Sequence, residues 1–186
     1  MADAFNFVDI LKKKMNLLER IITSTLILNG EEAKRAKVIY VRRQSAFGNY
    51  IAGFHNCEIC FLQFYDDDDD ECLRQLKQVF PRAEPDENFE PAQRELRAIL
   101  KGTELDVLVW RELLKIDKGT TVSYESIARA IGRPKAVRAV ANAVGRNNIS
   151  YLVPCHRVIR KNGELGGFGG GVRRKLKMLH YEGVKI

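Results

Sequence analysis

The sequence contains few cysteines and no long hydrophobic run. Four cysteines occur among 186 residues, too few and too unevenly spaced for a disulfide framework. No stretch is long and apolar enough to cross a membrane, and Lys12 to Lys14 interrupt the apolar residues that a secretory signal would need to be continuous. These absences predict an intracellular protein with reduced thiols and no membrane partner, located in the nucleus of a eukaryote and otherwise in the cytoplasm.

Motifs for cofactors are absent as well. The chain has no Walker pattern and no Rossmann glycine fingerprint, so nucleotide cofactors are not expected. His55, Cys57, Cys60 and Cys72 include a Cys-x-x-Cys pair, which is a common zinc half-site. No second pair follows, and Cys60 lies within the apolar run 59–64, so structural cysteines are preferred over zinc. We predict neither a cofactor nor a metal site.

Charge is distributed unevenly along the chain. The formal net charge is +7, but residues 118–186 contain 14 basic against 3 acidic residues, whereas residues 1–117 contain 17 against 21. A one-sided basic region attracts polyanions through its long-range field. The alternative is that the charge only keeps the surface solvated. A polyanion such as nucleic acid is therefore the expected partner of the C-terminal part.

The first part of the chain combines a helical pattern with short strand-like runs. Apolar residues recur at helical spacing through residues 7–28, which predicts an amphipathic helix. Runs of β-branched and aromatic residues at 38–41, 50–54 and 58–64 are separated by turn residues, so a small antiparallel sheet is expected. The apolar positions of the predicted helix are Val8, Leu11, Met15, Leu18 and Ile22.

An acidic run and several prolines follow the predicted strands. We interpret Asp66 to Asp70 as a solvated loop rather than a metal site, because consecutive carboxylates repel one another. Acidic residues also suit the start of the helix predicted over residues 72–80. Pro81, Pro85 and Pro91 mark a linker that ends the first domain.

The chain is expected to contain three segments. Helices predicted over residues 91–100 and 106–116 lead into the C-terminal part. The boundaries are then an N-terminal helical extension over 1–34, an α/β domain with the acidic loop and linker over 35–90, and a C-terminal domain over 91–186.

The segment after residue 122 has the layout of a helix-turn-helix. Ser123 is a good helix N-cap with Ser126 three residues later, and the apolar face that follows ends at Gly132. Pro134 permits the turn into a second helix over residues 136–144. Two helices in this arrangement are typical of DNA-binding domains.

The second helix is mostly alanine and valine. It offers few side chains that could hydrogen-bond to base edges, so it cannot read much sequence. Small residues instead allow a close, sequence-tolerant contact, which suits minor-groove binding. An ordinary helix-turn-helix regulator, the alternative, would need polar residues at these positions.

The hexamer from Val153 to Val158 contains the candidate nucleophile. A cysteine is nucleophilic as its thiolate, and a neighbouring base supplies that form. His156 follows Cys155 directly, and Pro154 fixes the backbone before it. Taken alone, the pair is equally compatible with a buried structural cysteine beside an incidental histidine.

Taken together, these features resemble the O6-alkylguanine-DNA alkyltransferases, or methylated-DNA–protein-cysteine methyltransferases. The match covers about the last 80 residues closely and the segment from about Val38 onward more loosely. The positions that carry it are Trp110, Gly119, Thr121, Ser123, Tyr124, Ile127, Ala128, Gly132, Pro134, Arg138, Ala139, Val140, Asn147, Pro154 to Val158, Gly163, Leu165, Gly166, Gly167, Phe168, Lys175, Leu179, Glu182 and Gly183.

The resemblance implies an α+β fold. Its N-terminal part would be a small antiparallel sheet with helices, of ribonuclease-H-like type. Its C-terminal part would be a helical, winged-helix-like domain that contains the helix-turn-helix and the active-site cysteine.

The resemblance also implies roles for the catalytic residues. Cys155 would accept an alkyl group from the O6 atom of guanine. Glu182 would orient His156, which would act through a bound water as the base for Cys155, in the manner of a Cys-His-acid triad. Tyr124 would donate a hydrogen bond to the purine, where charge develops as guanine leaves. Asn147 would bridge the recognition helix to the active-site turn.

DNA contacts follow from the same resemblance. Arg138 would enter the base stack in place of a nucleotide that is flipped out of the duplex, and Tyr124 would assist by pressing on the target phosphate. Ala136, Ala139 and Gly145 would contact the DNA backbone closely. The implied partner is double-stranded DNA that contains O6-alkylguanine, bound through its minor groove by a monomer.

The implied substrate pocket is glycine-rich. Residues 166–171 would form a mobile wall, with backbone amides able to contact O6, and carbonyl groups of Cys155 and Val158 would accept from the exocyclic amine. The side chains and backbone assigned to the pocket are those of Pro154, Val158, Phe168, Gly169, Gly170 and Lys175.

Four departures from the family pattern leave the alkyl preference open. Phe168 stands where many members have tyrosine, and Gly169 where serine is frequent. Asp117 and Asn148 each replace a common proline. No second nucleophile is present to remove the thioether from Cys155, so one turnover per molecule is expected. A non-catalytic lesion sensor of the same family would lack the cysteine, and its presence argues against that alternative.

Overall fold

A computed structural model of the chain describes residues 26–90 and 98–186. The chain divides into two units between Lys101 and Gly102. The predicted boundary after residue 90 adjoins residues 91–97, outside the described part, and stays a prediction. In chain order, the described elements of the first unit are β1 (Leu26–Ile27), α1 (Gly30–Arg35), β2 (Val38–Ser45), β3 (Gly48–His55), β4 (Glu58–Tyr65), α2 (Asp70–Val79), β5 (Ala83–Pro85) and β6 (Ile99–Leu100).

The three predicted strand runs pair as antiparallel neighbours. Strand β3 pairs with both β2 and β4, and each strand is longer than the sequence pattern indicated. Asn56 and Cys57 form the turn between β3 and β4, with φ of 50° and 65°. Positive φ at both central residues gives a two-residue turn that matches the twist of the strands.

A fourth strand makes the sheet mixed rather than wholly antiparallel. Strand β5 pairs with β2 in parallel, so the strand order is β4-β3-β2-β5. The prediction of a linker was therefore wrong for Ala83–Pro85. Pro85 cannot donate a backbone hydrogen bond, and it is tolerated because β5 lies at the sheet edge.

Helix α2 packs on the sheet to form the core of the first unit. The helix begins with Asp70 and Glu71 and has Lys77 in its last turn, which complements its dipole. Leu76 is fully buried and belongs to one apolar cluster with Phe61 and other core side chains. The predicted helix after the aspartate run is thus present, two residues longer at its start.

Two of the predicted helices have strands at their C-terminal ends instead. Leu26–Ile27, at the end of the first predicted helix, pairs in parallel with Ile99–Leu100, at the end of another. Both predictions are wrong at these residues, because pairing between distant segments overrides a local apolar pattern. Leu28 and Ala98 are not helical either, and residues 7–25 and 91–97 of the two predicted helices lie outside the described residues.

The elements of the second unit are α3 (Glu104–Leu113), β7 (Val122–Ser123), α4 (Tyr124–Ala130), α5 (Val137–Gly145), β8 (Val158–Ile159) and α6 (Val172–Tyr181). Helices α4 and α5 form the helix-turn-helix. Ser123 caps α4 by accepting from the Ser126 amide, as the sequence predicted. Strand β7 pairs in parallel with β8. None of the helices in the described ranges is long and apolar enough to span a membrane.

Helix α3 supports α5 from within the second unit. Thr103 and Asp106 form a capping box at the start of α3. Trp110 is 1% exposed and donates from Nε1 to the carbonyl oxygen of Ala143 at 2.8 Å. Asp106 also accepts from the side chain of Arg146. The second helix of the helix-turn-helix is therefore fixed at its C-terminal end.

We expect Gly102→Ala to destabilise the protein. A Cβ atom at Gly102 would lie 2.7 Å from Cβ of Asp106 and 2.8 Å from the ring of Trp110, and overpacking of this kind costs about 1–3 kcal/mol. Gly145→Ala is the matched control, because its Cβ would meet nothing within 4 Å and alanine favours the helix. Urea unfolding followed by the fluorescence of Trp110 measures both. Equal stability of the two variants would contradict the packing argument.

Candidate active site

Cys155 lies in a single 3₁₀ turn, Cys155–Arg157, between α5 and β8. Pro154 precedes it with φ −79°, and the Arg157 amide donates to the Pro154 carbonyl oxygen at 3.0 Å. The thiol residue is 6% exposed. A rigid, proline-led turn therefore places the cysteine just beneath the surface.

Asn147 holds the sulfur from the other side. Its Nδ2 atom donates to Sγ of Cys155 at 3.1 Å and to the Val153 carbonyl oxygen at 2.9 Å. Its Oδ1 atom accepts from the Ile149 amide at 3.0 Å. The amide donor favours a negative sulfur. These hydrogen bonds also link the residue two positions after α5 to the active-site turn.

His156, Arg157 and Glu182 form a buried cluster. Nε2 of His156 lies 3.1 Å from Oε1 of Glu182. Arg157 donates to both oxygens of Glu182, from Nε and Nη2, at 2.8 Å each. The side chains of His156 and Glu182 are completely buried. The family resemblance predicts the contact between Glu182 and His156. It does not predict the pairing of Arg157 with Glu182, because nothing in the sequence distinguishes Arg157 from the many other basic residues.

The cluster contains a charged carboxylate and a neutral imidazole. Burial opposes ionisation of Glu182, but hydrogen bonds from His156 and Arg157 outweigh it and lower its pKa to about 2. Burial also lowers the pKa of His156 below 6.5, although Glu182 opposes this. A neutral His156 that donates from Nε2 has an unprotonated Nδ1 atom. That atom has no hydrogen-bond partner within the described residues.

Lys175 and Cys155 influence each other's ionisation. Burial raises the pKa of the Cys155 thiol, while the Asn147 amide and the Lys175 charge act against that rise. Burial lowers the pKa of Lys175 to about 8. Its Nζ atom donates to the carbonyl oxygens of Val158 at 2.6 Å, Leu165 and Gly167 at 3.4 Å. Lys175 therefore ties the glycine-rich loop to β8.

Tyr124 closes another side of the site. It is the first residue of α4, and a Cβ atom at Gly166 would lie 3.2 Å from its hydroxyl oxygen. Burial raises the pKa of Tyr124, and a negative Cys155 would raise it further. The phenol therefore remains a hydrogen-bond donor within electrostatic reach of the sulfur.

The glycine-rich segment is close to other groups at some positions and open at others. Gly166 has φ of 67°, which favours glycine. A Cβ atom at Gly170 would meet the ring of Phe168 at 3.0 Å, whereas one at Gly167 or Gly169 would meet nothing within 4 Å. Gly170 is buried and Phe168 is half-buried, so the loop combines packed and open positions.

Four of the five predicted DNA-contacting residues lie along α5 and its cap, and Tyr124 is the first residue of α4. Ala136 is the N-cap, Arg138 is exposed, Ala139 is half-buried, and Gly145 is exposed at the last helical position. Residues Arg138, Asn142 and Gly145 share one helical face, since they are four and three residues apart. Among the described ion pairs, none involves Arg138, so its cation is available to a ligand.

The cysteines and histidine considered for zinc are not gathered into a metal site. Cys60 donates to the Gly53 carbonyl oxygen at 3.4 Å and Cys72 to that of Gln63 at 3.7 Å. Cys57 is exposed. Across residues 26–90 and 98–186, no group of three His, Cys, Asp or Glu residues could hold a metal ion.

The fold and the site define a class of protein in which a helix-turn-helix adjoins a buried thiol with a neighbouring imidazole. A family model for the DNA binding domain of 6-O-methylguanine DNA methyltransferase matches residues 104–184. The crystal structure of Mycobacterium tuberculosis OGT in complex with DNA is 31% identical to the chain. That comparison has a TM-score of 0.64 and covers 78% of this chain and 93% of that one. The chain therefore belongs to the O6-methylguanine DNA methyltransferase family.

Curated relatives are similar over part of their length. A probable methylated-DNA--protein-cysteine methyltransferase of Acanthamoeba polyphaga mimivirus is 53% identical over 83 residues, which are 45% of this chain and 55% of that protein. The bifunctional transcriptional activator/DNA repair enzyme Ada of Escherichia coli K12 is 41% identical over 132 residues, 62% of this chain and 37% of that protein. The matches thus span about half of these relatives or less.

We expect Glu182→Gln to remove a pH-dependent part of the stability. The pKa of Glu182 is about 2 in the folded protein against an ordinary value of 4.5. Its contribution is therefore complete above pH 4.5 and is lost as the pH falls toward 2. The substitution should cost roughly 3 kcal/mol at pH 7, because it leaves Arg157 buried without a charged partner.

Urea unfolding at a series of pH values measures this effect. The control is Glu164→Gln, which removes an exposed carboxylate that pairs with Arg160 at the surface and should change stability little. If the native protein and Glu182→Gln lost stability in parallel below pH 4.5, the assignment of this pH dependence to Glu182 would be refuted.

Proposed function

We propose that the protein repairs DNA by transferring an alkyl group from O6 of guanine to Cys155, once per molecule. The observation that carries the proposal is the environment of the sulfur. Nδ2 of Asn147 donates to Sγ of Cys155 at 3.1 Å. His156 follows Cys155 directly, and its Nε2 atom is hydrogen-bonded to the Glu182 carboxylate. A buried thiol with an adjacent neutral base is the arrangement that nucleophilic attack requires.

The transfer can be written with these groups. His156 takes the thiol proton at Nδ1 through a water molecule, and the sulfur attacks the alkyl carbon. The S–C bond forms as the C–O6 bond breaks, and the bonding pair stays on guanine. Tyr124 donates a hydrogen bond to the purine, which stabilises the developing negative charge. The imidazolium then releases its proton, and the guanine anion is protonated through solvent.

Access to O6 requires that the base leave the duplex. We propose that α5 lies in the minor groove, where the small residues Ala136, Ala139 and Gly145 permit close approach of the helix to the DNA backbone. Arg138 would then occupy the space of the flipped nucleotide. Its exposure at the start of α5 supports this role.

The finer fold and cellular assignments belong to the same proposal. The order β4-β3-β2-β5, with β5 parallel to β2, supports a ribonuclease-H-like sheet. The pairing of β7 with β8 beside the helix-turn-helix supports a winged-helix-like second domain. We further propose a monomer that acts inside the cell, in a nucleus where one exists, without a cofactor, and with the three-segment organisation given above.

Labelled DNA tests the transfer directly. We expect a duplex that contains one O6-methylguanine with a labelled methyl group to transfer at most one label per protein molecule. Cys155→Ala should accept none, and Cys57→Ala, which removes an exposed thiol in the first unit, should accept one. Tight binding of the lesion by the native protein without transfer would instead identify a lesion sensor and refute the catalytic proposal.

Arg138→Ala separates base flipping from chemistry. We expect it to slow transfer from duplex DNA by about 100-fold, because the flipped state costs a few kcal/mol without a residue to fill the stack. Transfer from the free base O6-benzylguanine, which needs no flipping, should change by less than about twofold. Lys135→Ala, an exposed cation just before α5, should weaken DNA binding moderately and leave the maximal rate intact. Equal slowing with both substrates would contradict a flipping role for Arg138.

A further inference from the structure

Tyr151 adopts a backbone conformation that is unfavourable for a bulky residue. Its φ is 73°, and the other described non-glycine residues with positive φ are Asn56 and Cys57. Those two form an exposed hairpin turn, where positive φ is required, whereas Tyr151 is 5% exposed. A side chain persists in such a conformation when its surroundings over-determine it. The ring of Tyr151 therefore has a strong packing partner.

That partner is His156. The two rings are stacked, with centroids 5.4 Å apart and planes inclined by 15°. Tyr151 precedes the active-site turn by four residues, and the Val153 amide between them donates to the Ile149 carbonyl oxygen at 3.0 Å. The chain thus folds back on itself, and one flat face of the imidazole is covered by the phenol ring.

The remaining groups around His156 act on its edge or its charge. Glu182 accepts at the Nε2 edge. Arg157, on the same turn, and Lys175, on α6, disfavour a second positive charge nearby. The hydrogen bond to Glu182 holds the Nε2 edge of the ring. The parallel ring of Tyr151 adds a steric barrier to rotation about the Cβ–Cγ bond, because rotation would drive the imidazole edge into it.

We propose that Tyr151 is a positioning residue for the transfer reaction. Its strained backbone presents the phenol ring parallel to the imidazole of His156, which keeps Nε2 on Glu182 and leaves Nδ1 free to take the thiol proton. The inference rests on the proposed function, since it assigns His156 the role of base. It adds a residue that acts through His156 by stacking on its ring.

The stacking also excludes water from one face of the imidazole. Burial is the largest cause of the lowered pKa of His156, and the phenol contributes to that burial by covering a ring face. Tyr151 itself stays uncharged, because burial raises its pKa and Glu182 raises it further. A neutral stacking partner is retained across the pH range in which His156 would titrate.

Three substitutions at Tyr151 test the proposal. Tyr151→Phe keeps the ring and removes the hydroxyl. Tyr151→Leu removes the ring and keeps apolar volume, and Tyr151→Gly removes the ring while it permits the positive φ. Transfer from the labelled duplex is measured for each as a function of pH. Nitrogen NMR of the histidine rings, of which the chain has three, reports the tautomer and pKa of His156 without any catalysis.

We expect the Phe variant to transfer within about twofold of the native rate and to keep the Nε2-protonated tautomer. The Leu and Gly variants should be at least about tenfold slower, with mixed tautomers of His156 and an acid limb of the pH profile shifted upward. The signals of His55 and His180 should not move, which shows that the variants are folded. A native rate and titration in the Leu and Gly variants would overturn the proposal.

Two further outcomes are also decisive. A Phe variant as slow as the Leu variant would assign the effect to the hydroxyl and overturn the stacking role. The native protein could also fail to transfer the label, while its His156 keeps one tautomer in the native and Phe proteins and has mixed tautomers in the Leu and Gly variants. That result would refute the proposed function and leave the positioning role intact.

Discussion

The carboxylate of Glu182 is the constraint on which the second unit depends. It is buried and ionised, and it accepts three hydrogen bonds from His156 and Arg157. Arg157 also donates to the Ile116 carbonyl oxygen. One carboxylate therefore connects the end of α6, the 3₁₀ turn and the segment after α3. Because a buried charge is costly without its partners, the three segments are held together, and the imidazole acquires a defined donor edge.

Short connections join α5 to the thiol of Cys155. Asn147 follows α5 by two residues and donates to the sulfur. Strand β7 pairs with β8, which directly follows the active-site turn, so the start of α4 and Tyr124 are fixed relative to Val158. The end of α5, the start of α4 and the active-site turn are therefore held together by a few hydrogen bonds.

Local signals explain what the sequence predicted well. Ser123 as an N-cap, the apolar runs of β2 to β4 and the proline before Cys155 each act within a few residues, and the structure shows each of them. Pairing between distant segments has no such local signal, so the sequence pattern predicts a linker at β5 and a helix at Ile99–Leu100, where the structure has strands. In the site, the spacing from Cys155 to Glu182 was informative through the family resemblance. The pairing of Arg157 and the positive φ of Tyr151 arise from tertiary packing and have no sequence signature.

The ends of the four-stranded sheet have a consequence for self-association. Strand β5 is three residues long and ends in Pro85, which offers no amide to an added strand. On the opposite side, Ile59 of β4 is bridged by Ala98, so part of that edge is covered as well. Open sheet edges are templates for edge-to-edge aggregation. A sheet with a short, proline-ended edge on one side and a partly covered edge on the other presents few free backbone groups to a second copy, which disfavours the joining of copies into continuous β structure.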